Sequence, residues 1–145
     1  MKENERYLVS ACLLGLPCRY DGQAKDYPAI WALAKEADLI PVCPEQLGGL
    51  ATPRLPAERQ GEKVLRQDGK DLTAQFQKGA QATLALGQGL GIHQAILKSR
   101  SPSCGSKSIY DGSFTQTLIP GQGITAELLA QAGFTLYREE DFIIS

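Results

Sequence analysis

Four short apolar runs punctuate this chain, and the segments between them carry helical spacing or turn chemistry. Tyr7 to Ala11 (YLVSA) is the first, continuous enough to predict a buried strand. From Pro28 to Ala37, residues Ile30, Leu33, Ala34 and Ala37 share one helical face, with Pro28 suited to the first turn and the lone Trp31 read as core. Leu39 to Cys43 (LIPVC) predicts a second strand, stopped by Pro44. Behind it, Pro53, Pro56 and the Gly48-Gly49 pair make Glu45 to Arg59 a long shaped loop. Lys63 to Asp71 holds an Asp68-Gly69 hairpin signal. Asp71 or Thr73 then caps a helix carrying Phe76, Ala80, Leu84 and Leu90, weakened toward its end by Gly79, Gly87 and Gly89. Ala95 to Lys98 is the third strand, followed by the loop Ser99 to Gly105 and a turn region from Ile109 to Phe114. Thr125 caps a last helix, with Leu128, Leu129 and Ala132 inward and Gly133 as its stop, and Phe134 to Tyr137 forms the final strand.

Strands alternating with helices specify an α/β fold. The expectation is one compact domain over residues 1–145, Rossmann-like, with a small, mostly parallel sheet flanked by helices. In such sheets ligands gather at the carboxyl ends of the strands, near the point where strand order reverses. That rule sorts the chemistry.

Composition narrows the field. Fifteen Lys and Arg against sixteen Asp and Glu leave a formal charge of −1, so no basic field exists for nucleic acid. The charged start, Met1 to Arg6, is unlike a secretory signal, and no apolar run approaches the roughly eighteen residues of a membrane span. A soluble cytoplasmic protein is expected, with its four cysteines reduced. No feature fixes an oligomeric state. A single histidine, His93, excludes histidine-rich metal sites and is read as structural, at the start of a strand. Neither G-x-x-x-x-G-K-[ST] nor G-x-G-x-x-G occurs, which argues against nucleotide triphosphates and dinucleotides.

Cysteine is what remains. Cys12 follows the first strand, Cys43 ends the second, and Cys104 lies in the loop after the third. A lone cysteine is most often a small buried hydrophobe, but three at one sheet edge suggest a shared purpose. Cys18 either joins them or packs under its loop. No C-x-x-C knuckle marks a zinc site, whereas soft thiolates suit an iron–sulfur cluster. Three ligands leave one iron open to a soft atom; four close the cluster, as in an electron carrier or redox sensor. A zinc-stabilised structural domain and redox-thiol chemistry are the other readings. Glu45, two residues past Cys43, is placed for general acid–base work if its site is dry. Ser101 and Ser103 flank Pro102 just before Cys104, and Arg54 and Glu58 read as an internal ion pair.

These residues carry a resemblance. Val9-Ser-Ala-Cys-Leu-Leu-Gly15, Cys18-Arg-Tyr-Asp-Gly22, Cys43-Pro-Glu45, Gly48-Gly-Leu50, Pro53-Arg-Leu-Pro-Ala-Glu58, Ile96-Leu-Lys98, Ser101-Pro-Ser-Cys-Gly105 and Ile109-Tyr-Asp-Gly112 together resemble the thiouracil desulfidase family, formerly a domain of unknown function. The resemblance covers nearly the whole chain. It implies a [4Fe–4S] cluster on Cys12, Cys43 and Cys104, with Glu45 and Ser101 catalytic. The implied reaction is non-redox hydrolysis of a thiolated pyrimidine, with its sulfur bound at the open iron. Proximity adds Ser101, Ser103 and Arg54 as expected substrate contacts.

Overall fold

A computed structural model describes residues 5–23 and 25–142. Its elements run β1 (Arg6–Ser10), α1 (Pro28–Ala34), β2 (Asp38–Val42), α2 (Pro44–Leu47), β3 (Ala57–Gln60), β4 (Lys63–Arg66), α3 (Thr73–Leu90), β5 (Gln94–Leu97), β6 (Ser108–Tyr110), β7 (Leu118–Pro120), α4 (Ile124–Gln131) and β8 (Thr135–Arg138). The central sheet has the order β2-β1-β5-β8 and is parallel throughout. Its strands are the four apolar runs of the sequence, each displaced by one residue. Leu8, Val9, Ala95 and Ile96 are fully buried, because helices cover both faces. On one face Val9 and Ile96 pack with Ile30; on the other Leu8 and Ala95 pack with Leu129 and Phe134. The chain passes from β1 to β2 on one side and returns to β5 on the other. The strand order therefore reverses at β1, opening a crevice at the carboxyl ends of β1 and β5.

Two antiparallel hairpins, β3–β4 and β6–β7, lie outside this sheet, with β3 against β6. The sequence reading did not anticipate either strand pairing, but it did mark the tight turn at Asp68-Gly69. The β3–β4 strands meet at Gly61-Glu62, while Asp68-Gly69 makes a second tight turn that closes a Leu65–Asp71 bridge. The long loop after Pro44 contains α2 and the start of β3, and the turn region from Ile109 contains the end of β6.

The helices bring further corrections. α1 stops at Ala34, and Trp31 is 47% exposed: Ile30 takes the inward position and the next residue points outward. Leu90 and Ala132, expected inward, are exposed. α4 is entered through Gly123 rather than a Thr125 cap, and Thr125 is buried inside the helix. Among the described residues no helix is long and apolar enough to cross a membrane.

The glycines of α3 explain how an 18-residue helix tolerates them. A Cβ on Gly79 would overlap the Pro44 carbonyl, and one on Gly48 would overlap the Gln75 carbonyl. α2 thus rests backbone to backbone on α3, and the chain leaving β2 is fixed in direction. Gly79→Ala is expected to destabilise the protein by about 1–3 kcal/mol through this overlap. Gly89→Ala, in open space on the same helix, should instead be neutral or stabilising by up to about 1 kcal/mol. Urea denaturation of the two variants checks the pair.

Candidate functional site

A cavity of about 420 Å3 opens at the carboxyl ends of β1, β2 and β5. Cys12, Cys18, Cys43 and Cys104 all border it, together with Glu45 and Ser101. Each thiol arrives by a different local device. Past Ser10 the chain tightens into a 3-10 turn, Ala11–Leu14, closed by Gly15 in the left-handed region (φ 81°). That turn buries Cys12 at the end of β1. Cys43 directly follows β2, at the N-cap of α2, and is held by the seat of α2 on α3. Cys104 depends on α4: the first helical N–H groups, from Ile124 to Ala126, donate to the Pro102 and Ser103 carbonyls. The loop carrying Cys104 thus satisfies donors that a helix start leaves unpaired.

Cys18 joins the cavity through long-range contacts. Arg54 donates to its carbonyl at 3.1 Å, and the Arg54 backbone N–H donates to the Tyr20 carbonyl at 2.7 Å. The Cys43 thiol also donates to the Cys18 carbonyl, at 3.9 Å. The Cys18 thiol is pushed up to about 11, chiefly by hydrogen bonding with Cys12. Contact with the Cys18 sulfur, then burial, raises Cys43 well above the ordinary thiol range. Burial pushes Cys104 up to about 12, against the easing effect of the Ser10 hydroxyl. Crowded, desolvated thiols of this kind stay protonated near neutral pH and give up their protons only when a cation takes their charge. All four are free cysteines.

Glu45 lies in the first turn of α2, half-buried at the cavity wall. Burial raises its pKa, and the Arg54 guanidinium at 3.4 Å works in the opposite direction. Arg54 thus pairs with Glu45 and not, as its sequence position suggested, with Glu58. The segment between them turns Arg54 back toward α2, where it also donates to the Ala51 carbonyl and to the Thr52 hydroxyl. Arg54 stands behind Glu45, outside the cavity lining. Ser101 accepts the N–H groups of Ser103 and Cys104 at 3.1 and 3.0 Å. Its own O–H remains available to donate into the cavity. Ser103 is not brought to the wall: its buried hydroxyl is 2.7 Å from that of Thr125. His93 is remote from the site, with its ring edge-on to Phe134 at 6.2 Å.

Two residues of this wall, Ser10 and Lys98, and Glu139 behind them were not singled out in the sequence. Ser10 accepts the Lys98 N–H at 2.9 Å and so ties the ends of β1 and β5. Glu139, 8% exposed, pairs with the Lys98 ammonium at 3.1 Å and accepts the Ser99 N–H at 2.8 Å. Lys98 sits in the quoted Ile96-Leu-Lys98 motif, which was the available signal. Nothing local to Glu139 pointed to it.

The sequence model of the 2-thiouracil desulfurase family matches residues 7–141. This chain belongs to that family. A solved structure described as the [4Fe–4S]-dependent thiouracil desulfidase TudS is 47% identical and superposes with a TM-score of 0.90, over 94% of this chain and 92% of that one. The uncharacterized protein YbbK of Bacillus subtilis (strain 168) is 41% identical over 144 residues, which is 92% of this chain and 95% of the relative. The match to the desulfurase family spans the central sheet, both hairpins and every residue of the cavity wall.

Proposed function

We propose that this protein is a [4Fe–4S]-dependent desulfidase that converts thiouracil-type pyrimidines and water into the oxygen analogue and sulfide. The observation that carries the reading is the convergence of four thiols, Glu45 and Ser101 on one cavity at the switch point of the sheet. The donor chemistry fits the cluster: soft sulfur ligands, with the one histidine elsewhere. The chain has no C-x-x-C knuckle of the kind that commonly builds a structural zinc site. Cys12, Cys43 and Cys104 are the proposed ligands, because each follows a strand of the central sheet. When bound through three thiolates, the cluster supplies a Lewis-acidic iron with an open position for sulfur. Reduced cysteines also fit a cytoplasmic setting.

The chain's own residues supply the rest. In the reaction a C–S bond breaks and a C–O bond forms, with no net change in oxidation state. Glu45 takes the proton of the attacking water; burial raises the basicity of its carboxylate, and the Arg54 guanidinium beside it works in the opposite direction. Ser101, locked by two backbone N–H groups, donates its O–H toward the ring as charge develops there. The buried Ser103–Thr125 pair holds this loop from behind.

One observation favours a second reading. Cys18 borders the same cavity, and four thiolates would close the cluster and suit electron transfer or redox sensing. Turnover separates the two. Protein purified or reconstituted without oxygen, carrying iron and acid-labile sulfide, should release sulfide from 2- or 4-thiouracil without any electron donor. A fully loaded protein that releases none from any thiolated pyrimidine would leave the binding-module reading in place.

A further inference from the structure

We propose that Glu58 reads the pyrimidine ring, accepting a ring N–H with the carboxylate oxygen that the fold leaves free. The inference rests on the desulfidase reading above and adds to it the group that selects the lactam form of the base.

Glu58 lies on β3 and borders the cavity on the side built by the two hairpins. Its Oε1 accepts two backbone N–H groups, from Gly112 at 3.0 Å and Phe114 at 3.1 Å. The two arginines nearest to it in sequence are engaged elsewhere. Arg54 pairs with Glu45, and Arg59 pairs with Glu127 at 2.5 Å. Among the described residues Oε2 has neither a hydrogen bond nor an ion pair. A half-buried carboxylate held by one oxygen presents the other as a fixed, unmet acceptor.

The loop that anchors it has an unusual backbone. Phe114 (φ 59°) and Gln116 (φ 60°) are both left-handed, a conformation that non-glycine residues adopt at a cost and that recurs at ligand clamps. Both border the cavity. The residues between and beside them bond along the exposed edge instead, Ser113 to Thr115 at 2.5 Å and Thr115 to Thr117 at 2.8 Å. The hydroxyl chain thus runs along the exposed edge, while half-buried Phe114 and exposed Gln116 border the cavity mouth. Tyr110, on β6, borders the same space. The hairpin thereby places two aromatic residues and one anionic acceptor on the same cavity. A flat ring with N–H groups at its edge fits that combination. A ring methylated at the contacted nitrogen does not.

Glu58→Gln separates ring reading from simple bracing of the loop. The amide keeps a carbonyl oxygen for the Gly112 and Phe114 N–H groups and replaces the free acceptor by an NH2 donor. The measurement is kcat/KM, with the loaded full-length protein, for 2-thiouracil and its 1-methyl and 3-methyl derivatives. In the wild type, one of the two methyl groups should lower kcat/KM by about 10- to 100-fold, the worth of a hydrogen bond to a charged group. In Glu58→Gln that same methyl group should cost less than about threefold, with KM for 2-thiouracil raised and melting temperature and iron content unchanged. Wild-type discrimination that persists in Glu58→Gln overturns the proposal, and so does a wild type indifferent to both methyl groups. A wild type inactive on every thiouracil removes the desulfidase reading itself, and the inference falls with it.

Discussion

Alanine at Cys12, Cys43 or Cys104 should strip the protein of its iron and abolish sulfide release, whereas Cys18→Ala should keep both. The difference follows from where the four thiols are held. Three are fixed by the scaffold: the 3-10 turn after β1, the seat of α2 on α3, and the loop clasped by the start of α4. Cys18 is fixed by a surface loop whose carbonyl is tethered to Arg54. A ligand on the rigid set is what three-thiolate binding needs, and removing one should lower retained iron by more than about tenfold. Iron and acid-labile sulfide per chain after anaerobic desalting measure this. Cys18→Ala losing its iron while Cys12→Ala keeps it would reverse the ligand assignment and favour the electron-transfer reading.

Glu45→Gln should lower kcat by about a hundred- to ten-thousand-fold, the range typical of losing a general acid–base group. Iron content should not change. The amide carbonyl still accepts from Arg54, so the tether from Arg54 to the Cys18 and Ala51 carbonyls survives and the cavity keeps its shape. Single-turnover rates of sulfide release, compared at equal iron content, isolate this effect. A variant with full activity would move the proton transfer elsewhere, with Ser101 the next group to test.

The parts of this molecule that were legible in sequence are the short apolar runs of the central sheet. β1 and β5 stand out because parallel strands under helices are buried on both faces, and the half-buried edge strands β2 and β8 stand out by their apolar residues Leu39, Ile40, Val42, Leu136 and Tyr137. Their ends located Cys12, Cys43 and Cys104 without further help. The hairpins were not legible. β7 exposes Leu118 and Ile119, at 44% and 41%, so its pattern lacks the inward–outward alternation that marks a strand. The β3–β4 turn uses Gly61-Glu62, while the stronger dipeptide Asp68-Gly69 serves a neighbouring turn. The placement of Cys18, left open by the sequence, and of Glu58, read there as the partner of Arg54, has a shared cause: both are held by long-range partners. Arg54 reaches 36 residues back to the Cys18 carbonyl, and the Glu58 carboxylate is held from 54 and 56 residues away. Local sequence placed Arg54 beside Glu58, and the folded loop gave it to Glu45.

The most direct test of hydrolytic desulfuration by this protein is to run thiouracil turnover in 18O-labelled water, without oxygen and without an electron donor. The expected result is uracil and sulfide in equal amounts, with one labelled oxygen at the carbon that carried sulfur. Unlabelled uracil, a requirement for a reductant, or no sulfide from protein with its full iron and acid-labile sulfide would contradict the account.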